Sequence, residues 1–122
     1  MSNEQMIADR YIAIWNESDN ARRRALIATA WTEDARYADP LMSGHGHSEI
    51  DAMIAAVQAK YPGYRFTRLG NADKHGDHLR FSWSFAPEAG PEAARGTDFA
   101  TLNPDGRLAR VIGFLDTMPQ AA

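Results

Sequence analysis

The sequence predicts an α+β fold, with three N-terminal helices packed on one face of a curved, mostly antiparallel β-sheet. Three observations carry that expectation. Apolar residues recur at helical spacing through the first half of the chain. They alternate at strand spacing through the second half. The strands also follow one another across Gly- and Pro-containing turns instead of alternating with helices, which separates α+β from a doubly wound α/β arrangement.

The first helix shows Met6, Ile7, Tyr11, Ile14 and Trp15 on one face and Glu4, Asp9, Arg10 and Glu17 on the other. Asp19 or Asn20 suits the cap of a second helix, whose stripe is Leu26, Ile27, Ala30 and Trp31. The arginines at 22, 23 and 24 are expected on or near its solvated side. A short strand, 35 to 39, follows. Ser48 suits the cap of a third helix, with Asp51 three residues on as an imperfect capping box. Ile50, Met53, Ile54 and Val57 form its buried face, and Pro62-Gly63 ends it.

The remaining elements are strands. Residues 64 to 69 and 78 to 85 alternate, the latter over eight residues. Pro87 to Pro91 reads as a loop, and 94 to 102 as another strand. Asn103-Pro104-Asp105-Gly106 is a turn, because Pro presets its own φ and Gly accepts a positive one. Arg107 to Asp116 is the last strand, and the tail 117 to 122 is expected to fray.

Composition bounds the function. At 122 residues the chain is expected to be one domain, 1 to 122, with a real core. A net charge of −3 and no extended basic stretch argue against a nucleic-acid partner. The absence of cysteine excludes disulfides and thiolate chemistry. The polar N-terminus lacks a signal-peptide core, and no apolar run reaches membrane-spanning length. The expected location is the cytoplasm, without a membrane partner. His45-Gly46-His47 and His75-Gly76-Asp77-His78 lack helical i, i+4 spacing and a third ligand, so no metal is expected. His45 or His47 could instead hang over a pocket mouth.

Two aspartates stand out because strands are poor in Asp and a carboxylate facing a core is costly unless partnered. Parity places Ala35, Tyr37 and Asp39 on one face, and Pro40 holds Asp39 in extended geometry. Parity likewise groups Gly96, Asp98, Ala100 and Leu102. If Asp98 shares the side of Leu79, Phe81, Trp83 and Phe85, desolvation raises its pKa. Two carboxylates in unlike environments are a usual acid/base pair. The structural alternatives are backbone N–H groups for Asp39, an Arg such as Arg80 or Arg110 for Asp98, and a plain core position for Tyr11. Trp15, Trp31, Tyr37, Met53, Val57, Phe81 and Trp83 are expected as core and pocket wall.

Several runs carry a family resemblance across nearly the whole chain. They are Tyr11-Ile-Ala-Ile-Trp15, Tyr37-Ala-Asp39-Pro40, Gly46-His-Ser-Glu-Ile50, Gly96-Thr-Asp98-Phe99, and Asp105-Gly106-Arg107-Leu108 leading to Gly113-Phe114. Together they resemble the SnoaL-like and ketosteroid-isomerase-like branches of the nuclear-transport-factor-2-like (NTF2-like, cystatin-like) superfamily. That resemblance implies a cone-shaped α+β fold and a homodimer. It implies Asp39 as a general base before Pro40, and Asp98 and Tyr11 as donors to an oxyanion. In cyclases of the SnoaL type an acidic residue near the position of Asp98 is thought to transfer the proton. Gly96 and Thr97 depart from the bulky aliphatics of the isomerases, which leaves two states open for Asp98: wet and ionised beside Gly96, or dry and protonated against Trp83 and Phe81.

The expected activity is cofactor-independent acid/base proton transfer on a small apolar carbonyl compound, isomerase-like or cyclase-like. Two alternatives stay open: a hydrolase or dehydratase in which an arginine polarises the carboxylates, and a ligand-binding dimeric module without catalysis.

Overall fold

The computed structural model of the chain describes residues 3–117. The element order is α1 (Asn3–Asn16), α2 (Asn20–Ala30), β1 (Trp31–Ala38), β2 (Ser43–His45), α3 (Gly46–Lys60), β3 (Tyr64–His75), β4 (His78–Pro87), β5 (Ala94–Leu102) and β6 (Leu108–Thr117). Three helices pack on a curved six-stranded sheet of order β2-β1-β6-β5-β4-β3. Every pairing is antiparallel except β1 with β6, which is parallel. The β1 strand lies beside β6, and the chain between these parallel neighbours passes through β2, α3 and β3 to β5, which more than supplies the long connection a parallel pair requires.

Each strand that lines the core alternates. In β4, Leu79, Phe81, Trp83 and Phe85 are buried, and in β5 Ala94, Gly96, Asp98, Ala100 and Leu102 are buried. The helices close this face, α1 against β3 and α3 against β1. Ile14, Ile50 and Ile54 are fully buried between them. Each such side chain contributes on the order of 2 kcal/mol of hydrophobic stabilisation. Among the described residues no helix is long and apolar enough to cross a membrane.

Several local expectations change. Met6 is exposed, and Ala8 and Ile12 join the buried face of α1 instead. Asp19 caps α2 by accepting the Arg22 N–H at 2.8 Å, but the helix ends at Ala30, and Trp31 opens β1 fully buried. Arg22 and Arg24 are solvated, whereas Arg23 is only 1% exposed. Its guanidinium donates to Asp51 at 2.7 Å, to Asn20, to Gln58 and to the Glu17 carbonyl, so its charge is paired and its N–H groups are used. Asp51 thus ties α3 to α2 rather than capping its own helix.

The third helix begins at Gly46, two residues before Ser48, and Glu49 reaches back to accept the His45 backbone N–H. The first strand starts at Trp31 rather than residue 35, β3 extends to His75, and β2 was not anticipated. The turn before β6 forms as expected, with Gly106 at φ +86° and its N–H bonded to the Asn103 carbonyl. Thr117 belongs to β6, and the rest of the tail lies outside the described residues.

Candidate functional site

The site is assembled by strand register. Asp98 of β5 pairs with Phe81 of β4 on one side and Gly113 of β6 on the other. Its side chain points under the helices and is 2% exposed. Tyr11 of α1 packs edge-on against Phe81 and donates its hydroxyl to Asp98 Oδ2 at 2.7 Å. Asp98 Oδ1 is buried with no hydrogen-bond partner among the described residues. The buried Trp15 Nε1 likewise has none. The third such atom among the described residues, Trp31 Nε1, lies off the cavity wall. An unpaired buried polar atom is costly, and Asp98 and Trp15 carry two of the three on one wall.

Asp39 follows β1 and is anchored differently. Tyr37 donates its hydroxyl to Asp39 Oδ2 at 2.6 Å, and the Leu41 and Met42 N–H groups donate to Oδ1 at 2.7 and 2.9 Å. The backbone reading of Asp39 therefore holds for one of its oxygens, and Tyr37 takes the other. Gly113 is where the two carboxylates approach each other. A Cβ there would meet Asp98 Oδ1 at 2.9 Å and Asp39 Cβ and Tyr37 Oη at 3.2 Å each. No sequence signal other than Gly113 itself pointed to this convergence.

Burial, chiefly, pushes the Asp98 carboxyl up to about 6. The Tyr11 hydrogen bond and the nearby Trp83 indole lower it, although that indole completes no hydrogen bond, and the charge of Asp39 raises it. Both tyrosines are driven well above their ordinary value, first by burial and next by the charge of Asp98. Each phenol thus keeps its proton at neutral pH and gives it to a carboxylate. Tyr11 in this arrangement has no second proton for a substrate oxygen.

Tyr11, Asp39 and Asp98 share the wall of one cavity of about 700 Å³. Of the expected wall residues, Trp15, Tyr37, Met53, Val57 and Trp83 line it. Trp31 and Phe81 do not; they sit behind Tyr11, with ring centroids 5.8 and 5.2 Å from it. Phe66, Phe85 and Tyr61, none of them among the expected wall residues, complete an aromatic wall. The departure at Gly96 also resolves. A Cβ there would lie 2.2 Å from the Trp83 ring, so the glycine makes room for indole rather than for water.

No arginine lines the cavity among the described residues. Arg80 pairs with Asp73 in solvent, and Arg110 lies exposed on the opposite sheet face. His45 and His47 are also outside the cavity wall, and His47 Nε2 contacts the Trp31 carbonyl at 3.0 Å.

A helix-capped curved sheet with a carboxylate-bearing cavity defines an NTF2-like α+β protein. The SnoaL-like domain model matches residues 8–111, and the chain belongs to that family. Among solved structures, a protein of Agrobacterium tumefaciens provisionally assigned as an isomerase of the SnoaL-like family is 49% identical, with 95% of this chain and 100% of that one covered and a TM-score of 0.90. A provisionally assigned polyketide cyclase of Sinorhizobium meliloti is 19% identical over 88% of this chain and 92% of its own, TM-score 0.68. A protein of unknown function with a cystatin-like fold from Methylobium petroleophilum is 18% identical over 97% and 78%, TM-score 0.73. The last two share the fold alone. No curated protein matches the chain.

Proposed function

We propose that the protein is a cofactor-independent enzyme that moves a proton at the carbon α to a carbonyl, with Asp98 as the transferring group. The observation that carries this is the asymmetry of Asp98: one oxygen is fixed by Tyr11, and the other is buried and unpartnered in a cavity wall. A carboxylate desolvated to about 6 is a stronger base than a solvated one and is still ionised at neutral pH.

In this reading the Asp98 carboxylate takes the α-proton, and the resulting acid returns it at the new position or to the product of a ring closure. The unpartnered Trp15 N–H, from the same cavity wall, is assigned as the donor to the developing oxygen charge. Tyr11 positions Asp98 instead of contacting the oxygen. Asp39, held by Tyr37 and two backbone N–H groups, supplies a fixed neighbouring carboxylate and is not the base. The aromatic wall suits a flat apolar carbonyl compound. The relative from Agrobacterium tumefaciens, by its description as an isomerase, supports the reaction class.

Hydrogen–deuterium exchange at the α-carbon of β-tetralone, followed by NMR, tests the chemistry without the natural substrate. Wild type is expected to accelerate exchange, and Asp98→Asn to lower that acceleration by at least about a hundredfold. Unchanged exchange in Asp98→Asn would remove Asp98 from the reaction.

A further inference from the structure

The face of α3 turned to the cavity runs from Glu49 through Ala52, Met53, Ala56 and Val57 to Lys60, all of which line it. The eleven helical steps from Glu49 to Lys60 span about 16 Å, so the cavity is a slot rather than a sphere. Ala52 and Ala56 leave the middle of that wall low. Opposite them, Phe66 and Phe85 stack with centroids 4.3 Å apart, and Tyr61 meets Phe85 edge-on.

Charge is distributed unevenly along this slot. Its wall carries three carboxylates, Asp39, Glu49 and Asp98, and a single cation, Lys60. The Lys60 ammonium makes no ion pair among the described residues and sits 5.6 Å from the Tyr61 ring centroid. Glu49 is held at the other end of α3 by the His45 N–H. Strand register places Lys60 far from Asp98. Its neighbour Tyr61 packs on Phe85, which pairs with Ala94, whereas Asp98 pairs with Phe81. That step of four residues along β4 amounts to about 13 Å.

We infer that the ligand of this cavity is an elongated, flat molecule bearing a carboxylate, which pairs with Lys60 while its reactive carbonyl lies at Asp98. The inference rests on the proposed role of Asp98 for the position of the carbonyl. An anion is repelled along most of this wall and attracted at one end, so the charge pattern sets the ligand's direction as well as its class. A neutral molecule of the same shape could enter in either direction; a carboxylate cannot.

The test uses two rigid probes: para-phenylphenol, and the para-hydroxybiphenyl carboxylate that carries a phenol and a carboxylate at opposite ends. Dissociation constants come from calorimetry on wild type, Lys60→Met, Lys60→Glu and Asp98→Asn. Wild type is expected to prefer the carboxylate roughly five-fold, a preference that shrinks as salt rises. Lys60→Met erases it, and Lys60→Glu reverses it. Lys60 is exposed, so both variants retain the fold. Asp98→Asn is expected to change the affinity of both probes by the same factor, leaving the preference intact. Equal affinities in wild type, or a preference that survives Lys60→Met, would overturn the inference. Loss of preference in Lys60→Met with both probes indifferent to Asp98→Asn would keep the Lys60 contact and remove the Asp98 reading. Failure of both probes to bind wild type would overturn the inference, while the exchange assay decides the Asp98 reading separately.

Discussion

The Tyr11 hydroxyl and the Asp98 carboxylate, 87 residues apart, meet at 2.7 Å inside the core. The bond consumes the only proton Tyr11 has, and it fixes which Asp98 oxygen stays bare. Removing it should therefore change Asp98 more than it changes the cavity. In Tyr11→Phe the loss of a donor that lowers the Asp98 pKa moves that pKa above about 6. If Asp98 is the base, the rising limb of the pH–rate profile for β-tetralone exchange moves to higher pH with it. A limb that stays in place would show that Tyr11 does not position Asp98.

The wild-type profile follows from the same shift. A base must be ionised to act, so exchange should climb about tenfold per pH unit below 6 and level off above it. A rate that falls through that window would assign Asp98 the role of acid.

Stability should depend on pH in the opposite sense. The folded Asp98 carboxyl titrates near 6 and the unfolded one near 3.8. Between those values the folded state binds more protons, so its stability is greatest at low pH and declines as pH rises through 6. The penalty for the ionised form is of order 3 kcal/mol. Asp98→Asn, which cannot ionise, should gain relative to wild type between pH 4 and 7 and level off above. Urea melts at a series of pH values measure this directly, and a difference independent of pH would refute the shift.

Gly113 and Gly96 admit no side chain. Gly113→Ala would press on Asp98 Oδ1, Asp39 and Tyr37 together, and Gly96→Ala on the Trp83 ring. Overpacking of this kind costs about 1–3 kcal/mol. Thermal melts should place Gly96→Ala as the more destabilised, since its clash is the deeper. Gly113→Ala should lose more exchange activity than its stability loss explains, because it separates the two carboxylates.

Arg23 is a buried cation that bonds to four neighbours. Arg23→Ala leaves Asp51 without its closest partner and is expected to cost about 3–5 kcal/mol in chemical denaturation. Arg22→Ala, one residue away in solvent, should change stability by less than about 0.5 kcal/mol.

Much of this molecule was legible in the chain. Helix and strand periods are local properties, and they located all three helices and the strands of the second half, and grouped Asp98 with Ala100 and Leu102; the register of β5 on β4 put that face with Phe81 and Trp83. The runs around Tyr11, Asp39 and Asp98 named three residues that do share one cavity. What tertiary structure alone decided involves distance across the chain. The parallel pairing of β1 with β6 brings Tyr37 and Asp39 beside Gly113, and no periodicity encodes that register. Burial of Arg23 depends on where Asp51 and Gln58 of α3 come to lie, so a helical wheel of α2 could not foresee it. The partner of Asp98 is a phenol from α1 rather than an arginine of the neighbouring strands, because those arginines face the other side of the sheet. Sequence supplied the side chains and their faces; closure of the sheet under the helices determined which of them touch.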